Sequence, residues 1–158
     1  IQDEIEEIND NPDGDYDEDA IEKVIEEVTT VVEWYKELPK DYSNIEDLMY
    51  ARKVLCGNLF MLSVQLGKAR QQWKECEFTT ESVRRKTMAE MLEEGLAVGK
   101  ADAYARADSL LAMEAENVAE SYYHMLKFMI DATQEVNNTM MQHISTLKKE
   151  RENSPQYT

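Results

Sequence analysis

SNIEDLMYARKVLCGNLFMLSVQLGKARQQWKECEF, residues 43–78, decides the fold. Its apolar positions Leu55, Leu59, Leu62, Leu66, Ala69, Trp73 and Cys76 step by four and three. That alternation keeps one line of side chains facing a partner helix. Ser43 and Glu46 stand at the spacing of a capping box, so a helix is expected over 44–78. At its end Lys68 and Arg70 flank Ala69, and Trp73 follows Arg70 by three. Two cations and an indole suit a nucleic-acid strand, whose phosphates attract cations and whose bases stack on aromatic faces. The same residue types also cover the flank of any helical seam with their long or amphipathic side chains.

Working outward, 158 residues with 42% apolar content make about one domain with a real core. Only five Gly and three Pro interrupt it. An all-α fold is expected: a helical hairpin or bundle, elongated, with a long C-terminal helix that self-associates. Nine Met point to a pliable core. Cys56 and Cys76 belong to no CxxC or Cys/His cluster and make no disulfide framework, so a reducing cytoplasm is the expected compartment. No apolar run approaches the roughly 18 residues that a membrane span needs, and no signal peptide is visible.

The net charge of −16 is unevenly spread. Residues 1–50 hold 18 Asp and Glu against three Lys, whereas residues 51–158 hold 15 acids against 14 bases. A near-neutral remainder is free to gather its bases on one face, so charge alone does not exclude a nucleic-acid partner. Residues 1–19 are read as an acidic flexible tail, in which Ile1, Ile5 and Ile8 form at most a short docking stripe. Asn9 to Ala20 fails as a calcium loop, because Asn9 stands first, Pro12 falls inside and Ala20 replaces the bidentate Glu. The tail's carboxylates can imitate a phosphate strand and compete for the chain's own bases, or serve only to solvate it.

A first helix over 19–38 presents Ile21, Val24, Ile25, Val28, Val32, Tyr35 and Leu38 on one face and glutamates on the other, until Pro39 stops it. After Phe78, Thr79-Thr80-Glu81 reads as a new helix start, giving a short helix over 80–95. Arg84-Arg85-Lys86 near that start is the densest basic run in the chain. Like charges at the unfavourable end of a helix dipole point to an anionic partner, or to a solvated face. Together with Lys68, Arg70 and Trp73 they are the candidate nucleic-acid-binding residues.

From residue 100 to about 151 neither Gly nor Pro appears, so a single helix of about fifty residues is expected, spanning roughly 75 Å. Ser154-Pro155 ends it, leaving 152–158 as a tail. Its 4-3 line runs through Leu111, Val118, Tyr122, Met125 and Met129, then shifts to steps of four at Val136, Met140 and Ile144. Such a shift unwinds a supercoil locally. These eight residues are the expected oligomerisation contacts, because so long a helix needs other chains to cover it. Asn137-Asn138-Thr139 either fixes the register or is exposed.

His124 and His143 have no carboxylate or thiol at metal-ligand spacing, and there is no phosphate loop, GxSxG elbow or Cys/His signature. No metal, no cofactor and no enzymatic activity are expected.

Lys68-Ala69-Arg70 with Trp73, the short helix after them and the helix from Tyr122 to Leu147 together resemble the recombination mediator proteins of T-even-like bacteriophages, over roughly residues 45–150. In that family a Lys-Ala-Arg motif followed by an aromatic lies at the end of a long helix and contributes to single-stranded DNA binding. The match carries that role to Lys68 and Arg70, with Trp73 at an aromatic position. Family members form rings through C-terminal helices and help load the strand-exchange recombinase onto DNA coated by the single-strand-binding protein. The resemblance therefore implies single-stranded DNA, recombinase and single-strand-binding protein as partners, in the host-cell cytoplasm. The chain departs from the pattern in its acidic front and in Gly67 beside the motif. The rival is a helical structural, scaffold or virion component that assembles through its seams without DNA.

Overall fold

The computed structural model describes residues 18–153, and every described element is an α-helix: α1 (Glu18–Glu37), α2 (Ile45–Glu93), α3 (Val98–Asp108) and α4 (Leu110–Asn153). The acidic tail over 1–17, the calcium-loop positions within it and the end of the C-terminal tail lie outside the described residues. The chain divides into two compact units, the second being Gln65–Lys127 and the first the described residues on either side of it.

Unit 1 is a three-helix assembly. Antiparallel α2 and α4 meet at Arg52, whose Nε donates to Asn137 Oδ1 at 3.1 Å, and again where Ile45 and Leu48 pack with Ile144. The α1 helix lies against both: Asn58 Nδ2 donates to Glu27 Oε2 at 2.8 Å, and the Tyr35 and His143 rings are 6.2 Å apart. Val24, Val28 and Val31 of α1 and Leu48, Ala51, Leu55 and Leu62 of α2 are buried. Each fully buried Leu contributes about 1.5–3 kcal/mol relative to exposure. His143 Nε2 donates to the Tyr42 carbonyl oxygen at 3.0 Å, tying the link between α1 and α2 to α4. Asn137 is buried, and its Nδ2 also reaches Cys56 Sγ at 3.6 Å. Of Asn137-Asn138-Thr139, Asn138 and Thr139 are exposed and Asn137 alone is a partnered polar residue in the seam, where a slip in register would strand its donors.

Unit 2 pairs α2 with α3 and the start of α4. Ala101 and Ala105 are fully buried, and Thr87 Oγ1 donates to Asp108 Oδ2 at 3.0 Å. Small residues let helices approach closely. The turn from α2 to α3 is a Schellman close: Gly95 N–H donates to Leu92 O and Leu96 N–H to Met91 O, both at 3.0 Å, with Gly95 at φ 86°. The left-handed conformation there is the one glycine adopts without steric cost.

Four expectations change. The α2 cap is Asn44, whose Oδ1 accepts from the backbone N–H of Glu46 (3.1 Å) and Asp47 (3.4 Å), and not Ser43. No break separates 44–78 from 80–95, since α2 is one helix of 49 residues. Thr79 and Thr80 turn their hydroxyls back to the carbonyls of Glu75 (2.9 Å) and Cys76 (3.0 Å), the bond a threonine makes inside a helix. Conversely, the helix expected over 100–151 is interrupted at Ser109, where ψ is −1° and the hydroxyl donates to Arg106 O at 3.0 Å. Finally, the buried line of α4 runs through Ala119, Leu126, Thr133, Asn137, Met140 and Ile144, with Ala112, Tyr123, Ile130 and Leu147 half-buried between and beyond them. It keeps 4-3 spacing throughout, so the expected shift in repeat does not occur. From Leu111 to Met129 the expected line stands one residue ahead of the buried one.

Candidate functional site

The basic candidates lie on unit 2, where nine Lys and Arg face eleven Asp and Glu. Arg84 donates to Asp102 Oδ1 at 3.1 Å, and Arg106 Nε donates to Oδ2 of the same carboxylate at 2.9 Å. The Arg84 hydrogen bond and both guanidinium charges hold the Asp102 carboxyl below the usual carboxylate range. Arg85 pairs with Glu81, and Lys86 Nζ lies 4.0 Å from Glu90 Oε1. Each base of the triplet is therefore paired with an acid, Arg84 sharing its Asp102 with Arg106. Exposed pairs of this kind hold weakly, yet each acid also lowers the local potential that would attract phosphate. A shallow groove beside them, about 610 Å³, mixes Lys74 and Arg84 with Glu77, Glu81 and Glu116 and has no single-sign lining.

Lys68 and Arg70 are exposed on either side of buried Ala69, as expected. They sit within α2, not at a helix end. Arg70 has no hydrogen-bond or ion-pair partner among the described residues. Trp73 is not presented with them. Its ring packs against Tyr123 with centroids 5.3 Å apart and lies 5.7 Å from His124, Lys74 Nζ covers it at 4.6 Å, and its buried Nε1 has no acceptor among the described residues. Trp73 is thus a seam residue between α2 and α4 whose faces are already taken.

Of the eight expected oligomerisation residues, Met140 and Ile144 are buried inside the chain, and Met129 and Val136 are half-buried. The other four stand out on unit 2: Leu111 is 80% exposed, Val118 72%, Met125 45% and Tyr122 36%. Spacing brought these residues to one line, and the fold leaves that line open. Leu110, Met113 and Phe78 add exposed apolar surface that 4-3 reading of one seam missed. The signal was present in the sequence as two apolar lines side by side on one helix.

Among the described residues no group of His, Cys, Asp and Glu is arranged to hold a metal ion, and no helix is long and apolar enough to cross a membrane. Comparisons with family models, with curated proteins and with solved structures each return no match.

Proposed function

We propose that the protein is a non-enzymatic, self-assembling helical component, in which paired long helices hold apolar side chains out for contact with further copies. One observation carries this: Leu110, Leu111, Val118, Met125 and Phe128 of α4 are exposed in a folded single chain, beside an inner line on which Leu126 is buried. Contiguous exposed apolar surface on a folded domain marks an association site. Light scattering tests it, with mass expected to rise above the 18.3 kDa of one chain as concentration increases, in the absence of DNA. A mass fixed at one chain up to high concentration overturns it.

A second reading is single-stranded DNA binding in the manner of a phage recombination mediator, with recombinase and single-strand-binding protein as partners. It is favoured by Arg70, exposed and unpartnered among the described residues, with exposed Lys68 on the other flank of Ala69. Anisotropy of labelled single strands across a salt series separates the two roles. The double variant Lys68→Ala with Arg70→Ala is expected to weaken binding and to flatten the salt slope by about 0.7 for each phosphate that the variant no longer neutralises. Binding unchanged in affinity and slope removes these residues from any DNA role.

A further inference from the structure

We infer that the contact between copies is made by unit 2, the line Leu111-Ala115-Val118-Tyr122-Met125 of one chain packing against the same line of a second. This rests on the self-assembly proposed above and names its surface. In unit 1 the α2–α4 pair has a third helix, since α1 touches α2 at Glu27–Asn58 and α4 at Tyr35–His143. The α4 position facing Tyr35 is His143, and stepping back from it by sevens gives Val136 and Met129, both half-buried. Two more steps reach Tyr122 and Ala115, both exposed. The third helix of unit 2, α3, leaves them uncovered.

Three features identify the occupant. The 4-3 spacing over five positions matches the pitch of another α-helix, because only a helix of the same repeat keeps pace with it. None of the five positions is charged, so the line offers nothing to a phosphate strand or to a partner recognised by charge. In a chain of net charge −16 the line itself carries no carboxylate to set against another, exposed Glu114 standing at its flank. A second copy supplies an uncharged helical line of the same pitch by identity, which is the condition for a self-complementary contact. On α2, the exposed Met49, Phe60, Met61 and Val64 form no such uncharged line, because Lys53 interrupts it.

The test uses the full chain with Val118→Glu, Val118→Lys and an equal mixture of the two. Val118 is exposed, so neither change disturbs the fold, which circular dichroism checks. Each variant alone is expected to fall to 18.3 kDa by light scattering, and the mixture to regain a higher mass, since opposite charges meet only where one line faces the other. The mass of the unsubstituted chain is expected not to fall as salt rises. If that chain never exceeds one copy, self-assembly itself fails. If it assembles and Val118→Glu assembles equally, self-assembly stands and the inferred surface is wrong. If both variants are single chains and their mixture stays so, the line meets some different surface of the second copy, and the line-to-line contact is refuted.

Discussion

Leu126 and Met125 are neighbours in sequence, and the phase of α4 turns on which of them faces inward. Leu126 is fully buried and Met125 is 45% exposed. Truncating a fully buried Leu removes its transfer free energy and leaves a cavity, together costing about 2–5 kcal/mol. Truncating a half-exposed Met on a surface that is uncovered in one chain changes stability by about 0.5 kcal/mol or less. The comparison is made in the Val118→Glu chain, so that burial between copies does not contribute. Trp73 lies in the same unit as Leu126 and packs on Tyr123, so its fluorescence, read in a Trp34→Phe background, is a local reporter of unfolding. At about 2–4 °C per kcal/mol for a chain of this size, Leu126→Ala is expected to lower the midpoint by roughly 6–12 °C for a cost near 3 kcal/mol. Met125→Ala is expected to lower it by about 2 °C or less. Equal effects, or a larger one at Met125, would show that the buried line is the one beginning at Leu111 and that the α4 register is wrong.

Three further outcomes follow from the geometry. Proline at residue 81 is tolerated if Thr80 caps a new helix, since the first helical position needs no N–H; inside continuous α2, Glu81→Pro is expected to cost about 3 kcal/mol or more in a urea titration, and a neutral result would restore the break. A double-mutant cycle on Arg52→Ala and Asn137→Ala is expected to give a coupling of about 0.5–1.5 kcal/mol, whereas additive effects would show that the polar layer of unit 1 is not a direct bond. Burial first, then the hydrogen bond to Asp47 and its charge, raise the Tyr42 phenol from 10.0 to about 12. The unfolded chain therefore ionises before the folded one, so the Tyr42 contribution is intact below pH 10 and declines between pH 10 and 12. Tyr42→Phe is expected to flatten the stability profile in that window, and identical profiles would exclude the contribution.

Much of the fold was legible because α1 and the 4-3 line of α2 carry large apolar residues on the face that packs, even though Phe60 and Phe78 of α2 are exposed. The α2 line from Leu55 to Cys76 was read in its correct phase, and the start of α1 within a residue. Breaks were harder. Thr79-Thr80 carries a hydroxyl that bonds equally well as a cap or back along a continuing helix, and only the neighbouring chain decides between them. Ser109 has no breaker's signature at all, yet it is fully buried and interrupts the last helix. At the basic cluster, types and spacing were readable but pairing was not, because Asp102 reaches Arg84 across 18 residues of sequence.

The displaced phase of α4 has a more instructive cause. Its inner line includes Ala112, Ala119, Thr133 and Asn137, while the outer one carries Leu111, Val118, Tyr122, Met125 and Met129. A hydrophobic pattern weighs size, so it selects the outer line, whereas packing against α2 selects small residues that let two helix backbones approach. In unit 2 this arrangement leaves Leu111 and Val118 largely in water and buries Ala119 and Leu126. Burying a Leu or Val side chain is worth about 1.5–3 kcal/mol relative to exposure, and Leu111 at 80% and Val118 at 72% exposure leave most of that gain unrealised. Contact with a second copy recovers it with no change of fold. The inner and outer lines are two seams of one helix, the first satisfied within the chain and the second open to association.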